Sequence, residues 1–312
     1  MEYRVLGKTG LKVSALSFGA SSLGSAFRQI NKTDGLKAVH VSLDNGINLL
    51  DVSPFYGLTT AETMLGEALV GVPRDKYVLI TKCGRYGHEP KDFDFSAKRV
   101  TASIDESLKR LRLQHVEVLL AHDIEFGDLN QIINETIPAM RKIQQTGKAR
   151  FIGISGLPLA AFKRVADAVP LDVILSYCHY GLNDTALGDM MPYFKTKGIG
   201  VISASPLAMR LLAKAGPPDW HPAPPAVKEA CAKAAALCRS RGADFEKLAL
   251  QFALANSGIS TIMVGSADPE NMRRNIAWAG EPMDKKLLDE VLEILRPAHN
   301  VTWNSGRPEN NA

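Results

Sequence analysis

The amino-acid sequence predicts an α/β fold, a (β/α)8 TIM barrel preceded by a β-hairpin. Eight short apolar runs alternate with longer helical patterns along a chain of 312 residues. The runs are continuously apolar, which indicates strands buried on both faces, as in a parallel sheet. Eight strand–helix units in a chain of this length are typical of a closed barrel. An open doubly wound sheet is the alternative, but the sequence contains no G-x-G-x-x-G fingerprint.

The elements follow in order along the chain. The predicted strands are 15–20, 46–52, 77–82, 115–122, 149–155, 171–177, 199–205 and 259–265. Helices are predicted over 33–45, 62–69, 96–111, 132–145, 159–168, 187–197, 269–277 and 284–295, with further helical segments within 227–256. The stretch YRVLGKTGLKV predicts a hairpin with a Gly-Lys-Thr-Gly turn that caps the bottom of the barrel. We expect one domain over residues 1–312.

Three long loops are expected on the carboxyl side of the strands, over residues 84–95 and 208–225 and in the tail 298–312. Long loops in a compact barrel are usually functional. Active sites of this fold lie at the carboxyl ends of the strands, so these loops are candidates for the walls of a site.

Composition narrows the class of partner. The net charge of +4 comes from 37 basic and 33 acidic residues without a long basic run, so neither a nucleic acid nor a membrane is indicated as partner.

The first residues, MEYRVLGKTG, have no leader character, and a cytosolic protein is expected. Cys83, Cys178, Cys231 and Cys238 form no C-x-x-C pair, which favours reduced thiols over zinc or disulfide sites. The oligomeric state is not indicated, and a monomer is compatible with the sequence.

Polar residues stand where three consecutive strands end. Asp51 closes the second strand, Lys82 the third and His122 the fourth, and Tyr56 follows in the loop after Asp51. Neighbouring parallel strands would direct these side chains into one mouth. Because an unpaired buried charge is costly, we expect Asp51 and Lys82 to form an ion pair.

This combination suits proton transfer coupled to hydride transfer. A tyrosine hydroxyl has a pKa near 10, and a lysine ammonium beside it favours the phenolate. Tyr56 is then predicted to accept the substrate proton in oxidation, while His122 orients the substrate oxygen. Taken singly, Asp51 could be a helix cap, His122 a core histidine and Tyr56 a turn aromatic. No G-x-S-x-G elbow and no metal-ligand spacing is present.

The segments GINLLDVSPFYG, ITK at 80–82 and LLAHD at 119–123 resemble signatures of the aldo-keto reductase superfamily. The resemblance runs from LGKTGLKVSALSFGA to VGSADPENMRRNI. It implies a barrel that binds a nicotinamide cofactor without a Rossmann fold, with a catalytic tetrad of Asp51, Tyr56, Lys82 and His122. The stretches FGASSLG, DVSPFYGLTTAE, TKCGRYG and VTWNSGRPENN are similar to a sugar dehydrogenase of the superfamily. They imply oxidation of a small sugar at C1 with NAD.

The resemblance also implies cofactor contacts, with departures. A Ser-Asn pair after the fifth strand and a Gln on the sixth hold the nicotinamide carboxamide in the superfamily, and a Tyr on the seventh stacks on the ring. Here Ser155 is followed by Gly156, Ser176 stands near the Gln position and Ala204 at the Tyr position. The candidates along the pyrophosphate are Ser205 and Leu207.

The segment GSADPENMRRN resembles the adenosine site. The residues implied there are Gly265, Ser266, Asn271 and Asn275. Relatives that prefer NADP carry cations at the places of Gly265 or Ser266 and of Asn271, so their absence favours NAD. Arg273 and Arg274 are predicted as helix-surface charges. They leave the strictness of the NAD preference open.

Candidate substrate contacts lie on loops that face the predicted mouth. They are Ser53, Phe55, Tyr86, Asp123, Arg210 and Trp220. A sugar needs several hydrogen-bond partners and an aromatic platform, which such a set could supply. Two other functions stay open. One is an NADP-dependent carbonyl or aldehyde reductase, and the other is a nicotinamide-binding interaction subunit similar to the potassium-channel β subunits.

Overall fold

The computed structural model describes residues 1–25 and 29–311. Eight parallel strands close into a barrel, and two antiparallel strands precede it, which confirms the predicted fold class. In chain order the strands are β1 (Tyr3–Val5), β2 (Lys12–Ser14), β3 (Leu16–Gly19), β4 (Leu49–Asp51), β5 (Val78–Cys83), β6 (Val116–Ala121), β7 (Ala149–Gly156), β8 (Val173–Tyr177), β9 (Gly200–Ala204) and β10 (Thr261–Val264). The ring runs in sequence order from β3 to β10, and β10 pairs with β3.

Helices follow the barrel strands, and all predicted helices are present with small shifts at their ends. They are α1 (Lys32–Asp44), α2 (Thr60–Ala68), α3 (Ala97–Leu111), α4 (Leu129–Gln131), α5 (Ile137–Gln145), α6 (Leu159–Ala168), α7 (Ala186–Thr196), α8 (Pro225–Ser240), α9 (Phe245–Leu254), α10 (Pro269–Gly280) and α11 (Lys285–Leu295). The helical segments predicted within 227–256 are α8 and α9. Gly242 lies between them at φ +66°, a left-handed conformation that ends a helix.

The helix predicted to begin at Ile132 begins earlier, at Leu129, where the Asp128 side chain accepts a hydrogen bond from Asn130 N at 2.8 Å. A π-helical turn over Ile132–Thr136 then joins α4 to α5. Pro138, the second residue of α5, has no N–H to donate, which interrupts the regular α-helical hydrogen bonds at this point.

The inside of the barrel changes from apolar to polar along the strands. Side chains alternate between the two faces of a strand, so every second residue points inward. On β5 these inward residues are Val78, Ile80 and Lys82; the first two pack in the apolar interior, and Lys82 is paired in register with Leu120 of β6. The polar layer therefore lies at the carboxyl end of the strands.

The hairpin closes the opposite end, as predicted. Leu6, between β1 and β2, is fully buried in the interior cluster, and Lys8 N donates to Gly198 O at 2.8 Å. Gly7 has φ +51°, and a Cβ there would lie 2.2 Å from Gly200 N. Only glycine permits this close approach.

Two further properties concern the described residues. None of their helices has the length and apolar character needed to cross a membrane. All four cysteines are buried free thiols. Burial raises the pKa of Cys83 to about 12, so this thiol stays protonated at neutral pH.

Candidate active site

Three of the residues predicted at the strand ends meet around one ammonium group. Lys82 Nζ donates to Asp51 Oδ1 at 2.5 Å, to Val52 O at 3.0 Å and to the Tyr56 hydroxyl at 3.3 Å. Both charged side chains are almost completely buried, at 1% and 2% exposure. The three donors of Lys82 are all satisfied by protein atoms, which fixes the ammonium beneath the Tyr56 hydroxyl.

His122 forms the other wall of this group. Its ring lies 5.5 Å from the Tyr56 ring, centroid to centroid, at an interplanar angle of 89°. Its Nδ1 lies 2.9 Å from Ser53 Oγ. The structure thus brings Asp51, Tyr56, Lys82 and His122 together.

The electrostatics of the group differ from the expectation in one respect. Burial raises the pKa of Tyr56 to about 12, although Lys82 acts in the opposite direction. Lys82 favours the phenolate as expected, but burial outweighs this effect, and the negative charges of Asp51 and Asp123 oppose it as well, so the pKa is raised overall. For Lys82, burial opposes the charge, but Asp51 and Tyr56 outweigh it and raise its pKa. Burial, with Lys82 and Arg85, holds the pKa of His122 well below its usual value, so its imidazole is neutral.

A second ion pair lies beside His122. Arg85 Nη1 donates to Asp123 Oδ2 at 2.5 Å, and the same oxygen lies 3.6 Å from His122 Nε2. The Arg85 guanidinium stacks over the Phe55 ring at 3.6 Å, and this ring contacts His122 edge to face. Asp123 and Phe55 thus lie beside His122, and their contact with the substrate stays a prediction. Arg85 was missed, and its position within the predicted loop 84–95 was the available signal.

Two predicted substrate contacts face elsewhere. Ser53 is completely buried, and its hydroxyl is engaged by His122 Nδ1 and by Phe55 N at 3.1 Å. The Tyr86 hydroxyl accepts from Gly84 N at 3.0 Å and lies near Ser103 of α3, and Arg99 of the same helix stacks on its ring. Tyr86 therefore packs behind β5 against α3. The assignment of both residues to the substrate is wrong.

A carboxyl group that the sequence did not indicate reaches the end of β7 from the loop after β6. Glu125 is completely buried, and its Oε1 accepts from Leu157 N at 3.1 Å, Tyr177 OH at 3.3 Å and Ser305 Oγ at 3.1 Å. A Cβ on Gly156 would lie 2.3 Å from Glu125 Oε2. The carboxyl therefore fills the space that an Asn side chain would need at position 156. Burial, followed by the charge of Asp123, raises the pKa of Glu125 to about 8.

Ser155 and Ser176 lie on opposite sides of the barrel wall. Ser155 is buried at the mouth, where its hydroxyl accepts from Asp123 N at 3.3 Å. Ser176 follows Leu175, which packs in the barrel interior, so alternation directs Ser176 outward. The placement of Ser176 at the nicotinamide is therefore wrong, and the inward neighbour is Tyr177, whose hydroxyl bonds Glu125.

The predicted adenosine segment forms the start of α10. A Cβ on Gly265 would lie 2.4 Å from Gly19 O, so β10 and β3 approach closely there. Asn271 Nδ2 donates to Ser266 Oγ at 3.3 Å. Asn275 is half-buried on the same helix.

Both arginines of α10 have partners on their own helix. Arg273 pairs with Glu270, and Arg274 donates to Asn271 Oδ1 at 2.7 Å. Asp268 caps the helix by accepting from Glu270 N at 2.9 Å. Two acidic residues thus stand at the start of α10.

The loop after β9 carries the remaining candidates. Ala204 ends β9 and faces the interior cluster, and Ser205 adopts φ +59° with its N–H on Met263 O at 3.3 Å. Leu207 packs against the cluster formed by α8, α9 and α11. Arg210 and Trp220 are exposed, and neither hydrogen-bonds the tetrad among the residues described. The Trp220 ring is instead stacked with the ring of its neighbour His221, with the ring centroids 6.2 Å apart.

Within residues 1–25 and 29–311, no group of three or more His, Cys, Asp or Glu residues could hold a metal ion. A closed barrel with a buried Lys–Asp pair, a tyrosine and a neutral histidine at its carboxyl end defines an oxidoreductase of the barrel type. A family model described as the Aldo/keto reductase family matches residues 15–296, and the chain belongs to this family. Enzymes of the family bind a nicotinamide cofactor.

Individual relatives agree with this assignment. L-galactose dehydrogenase from Arabidopsis thaliana is 53% identical over 99% of each chain. D-threo-aldose 1-dehydrogenase from a Pseudomonas species is 28% identical over 91% of this chain and 94% of its own. Among solved structures, an aldo-keto reductase from Bacillus halodurans in its holo form superposes with a TM-score of 0.79 at 24% identity, covering 100% of both chains. At that identity the structural likeness concerns the fold.

Proposed function

We propose that this protein oxidises L-galactose at C1 with NAD and forms L-galactono-1,4-lactone, in ascorbate biosynthesis in the cytosol. The observation that carries the proposal is the 53% identity to an L-galactose dehydrogenase over 99% of both chains. The contact of Lys82 Nζ with Asp51 and Tyr56 supports a proton-transfer role for this group.

The geometry supports a role for each residue of the tetrad. When bound, the nicotinamide cofactor supplies the acceptor for the hydride that leaves C1. Tyr56 accepts the proton of the C1 hydroxyl as the carbonyl forms, and Lys82 stabilises the phenolate from which this step begins. His122, neutral and directed at the mouth through Nε2, donates a hydrogen bond to the reacting oxygen. Asp51 holds the ammonium in place.

The sugar would lie on the Asp123 side of the mouth. Asp123 Oδ2 is 3.6 Å from His122 Nε2, so it can accept from the hydroxyl next to the reacting carbon. Phe55 offers a ring face, although Arg85 covers one side of it. Arg210 and Trp220 lie on an exposed loop and would reach only a part of the sugar remote from C1.

The chain offers groups that fit a nicotinamide cofactor. Glu125 Oε2 is buried without a hydrogen-bond partner among the described residues, and the carboxamide of a nicotinamide would supply one. Ser155 lies on the neighbouring strand end, and Ser205 and Ser266 supply hydroxyls along the rim. The absence of a side chain at Gly265 leaves room for the ribose at the rim, whereas the N–H groups of Glu270 and Asn271 at the start of α10 are already taken by the Asp268 side chain.

A preference for NAD over NADP is supported by charge. No cation stands at Gly265, Ser266 or Asn271, and Asp268 and Glu270 would repel a 2′-phosphate. Arg273 is held by Glu270, and Arg274 by Asn271. Their guanidinium groups are thus engaged on the helix itself.

The test is the formation of the reduced cofactor, followed by absorbance, with L-galactose and either NAD or NADP. We expect rapid turnover with NAD and at least tenfold lower kcat/KM with NADP. The Tyr56→Phe variant should bind NADH as the wild type does and lose at least a hundredfold in kcat, the size expected for loss of general acid–base catalysis. Folded protein that turns over neither cofactor, or a Tyr56→Phe variant with wild-type rates, would overturn the proposal.

A second candidate is NADP-dependent carbonyl or aldehyde reduction. It is favoured by the pKa of Tyr56, about 12, because the protonated hydroxyl is the form that donates to a carbonyl. Turnover of simple aldehydes with NADPH faster than of L-galactose with NAD would select it.

A further inference from the structure

Ser53 Oγ has two hydrogen-bond neighbours, Phe55 N at 3.1 Å and His122 Nδ1 at 2.9 Å. The side chain is completely buried, so water does not supply a third. Phe55 N–H can only donate, and it occupies one acceptor site of the hydroxyl oxygen. The hydroxyl proton then has one acceptor within reach, the Nδ1 atom of His122.

The number of acceptors available to the Ser53 hydroxyl decides which nitrogen of the neutral His122 ring carries the ring proton. If Nδ1 carried it, Nδ1–H would donate to Ser53 Oγ, and the serine O–H would be buried without an acceptor, which is unfavourable. If Nε2 carries it, the Ser53 hydroxyl donates to Nδ1, and both of these groups are satisfied. The surroundings of Nε2 favour the same tautomer. Nε2 lies 3.6 Å from the carboxyl oxygen Oδ2 of Asp123, and a negative oxygen at this distance favours an N–H over a lone pair.

We propose that Ser53 is a positioning residue, which donates its hydroxyl proton to His122 Nδ1 and thereby holds the imidazole in the Nε2–H tautomer that the reacting oxygen requires. The catalytic value of this tautomer rests on the proposed function; the tautomer itself does not. Ser53 touches neither substrate nor cofactor in this role. It acts through the orientation and proton placement of His122.

The test uses full-length protein with 15N-labelled imidazole rings, in the absence of cofactor and sugar. One-bond and two-bond 1H–15N correlations separate the seven histidines, and a His122→Gln sample assigns the signals of His122. We expect Nε2 to resonate as a protonated nitrogen and Nδ1 as an unprotonated one. In Ser53→Ala we expect both signals to move towards the average of the two tautomers.

Kinetics supply the second readout. Ser53→Ala should lower kcat about tenfold or more with a smaller change in KM, and Ser53→Cys, a weak donor of similar shape, should recover part of the loss. Ser42→Ala is the matched control, since Ser42 is an equally buried serine that donates within α1 to Ala38 O at 2.8 Å. It should leave the His122 signals and kcat unchanged. Circular dichroism confirms that each variant folds.

The outcomes separate the two proposals. A protonated Nδ1 in the wild type, or His122 signals in folded Ser53→Ala that match the wild type, would overturn the role of Ser53. If the protein shows the expected tautomer but oxidises no sugar, the role of Ser53 is retained and the proposed function is overturned.

Discussion

Among single residues, Lys82 has the most demanding environment. It is one of the largest fully buried side chains, and its ammonium has three protein acceptors at 2.5–3.3 Å. A buried charge of this kind is tolerated only with its counter-charge in place. The group that would tune the chemistry is therefore also a requirement of folding.

Removing the counter-charge tests this dependence. Asp51→Asn should lower the free energy of unfolding by about 3–5 kcal/mol, because it leaves Lys82 buried without a carboxylate. Chemical denaturation measures the loss. The exposed α8 pair Lys233–Glu229 provides the control, and Glu229→Gln should change stability by less than about 0.5 kcal/mol. Equal effects of the two substitutions would contradict the argument.

The pKa of Tyr56 predicts the pH dependence of oxidation. Burial keeps the hydroxyl protonated until about pH 12, so the phenolate fraction grows as pH rises from neutrality. We expect kcat/KM for oxidation to increase by up to about tenfold per pH unit across the alkaline range in which the protein stays folded. The residual activity of Tyr56→Phe should lack this increase. A flat profile in the wild type would show that another group controls the proton.

The tetrad could be predicted because its residues follow strand ends, and the barrel fixes where strand ends meet. Ser53 and Tyr86 could not be placed in this way. The directions of these side chains depend on local turns and on the hydrogen-bond partners of their hydroxyls. The Ser53 hydroxyl contacts His122 Nδ1, and the Tyr86 hydroxyl contacts Gly84 N. A sequence pattern identifies a loop residue as polar without giving its partner.

Among the strands and helices, Gly156 at the end of β7 determines how closely this strand can approach the loop after β6. At Gly156 the absence of a side chain leaves room for the Glu125 carboxyl. The alternation of side chains along β7 could place Ser155 inward, but it does not indicate that the carboxyl group of Glu125, from the loop after β6, packs at the end of this strand. The π-helical turn before Pro138 was missed for a similar reason, since periodicity alone does not distinguish it from an α-helix.

The contact at Gly156 yields a prediction. Gly156→Ala places a methyl group 2.3 Å from Glu125 Oε2, and the carboxyl cannot retreat without losing Leu157 N, Tyr177 or Ser305. We expect a loss of about 1–3 kcal/mol in unfolding free energy. Gly280→Ala, where a Cβ would meet nothing within 4 Å, should be close to neutral. Combining Gly156→Ala with Glu125→Ala should give less than the sum of the two losses, and strict additivity would contradict the clash.

Helix α10 yields a prediction on coenzyme choice. Asn271→Arg adds a cation at the proposed adenosine site, where it can pair with a 2′-phosphate. The ratio of kcat/KM for NAD to that for NADP should fall about tenfold or more, measured by steady-state kinetics. Arg273→Ala serves as the control, because Arg273 is engaged by Glu270 on an exposed face. An unchanged ratio in Asn271→Arg would place the adenosine elsewhere.

Across the chain as a whole, the C-terminal tail is tied to the barrel through Glu125. Ser305 Oγ bonds the carboxyl, while Arg307 N at 2.9 Å and Asn310 Nδ2 at 2.9 Å bond the backbone oxygen of Glu125. These partners lie at least 180 positions apart in the sequence. No local pattern could predict such contacts, although the tail was expected to be functional from its length and placement.

Burial of Glu125 makes stability depend on pH. The unfolded chain loses the Glu125 proton near its ordinary pKa of 4.5, and the folded protein keeps it until about 8. Between these values the folded state binds more protons, so its stability falls as pH rises, and the full penalty applies above about 8. Glu125→Gln should reduce this decline, as measured by denaturant unfolding below, within and above the window. A variant with the same slope as the wild type would assign the dependence to other groups.

The hairpin between β1 and β2 has a practical consequence for attachment to a solid support. Because it seals the amino end of the strands, its outer surface, with the exposed Lys12, faces away from the mouth. An enzyme electrode that couples the protein through this hairpin would leave the carboxyl end free to exchange ligands with solution. Coupling through the C-terminal tail would instead pull on the segment that Glu125 anchors beside the mouth.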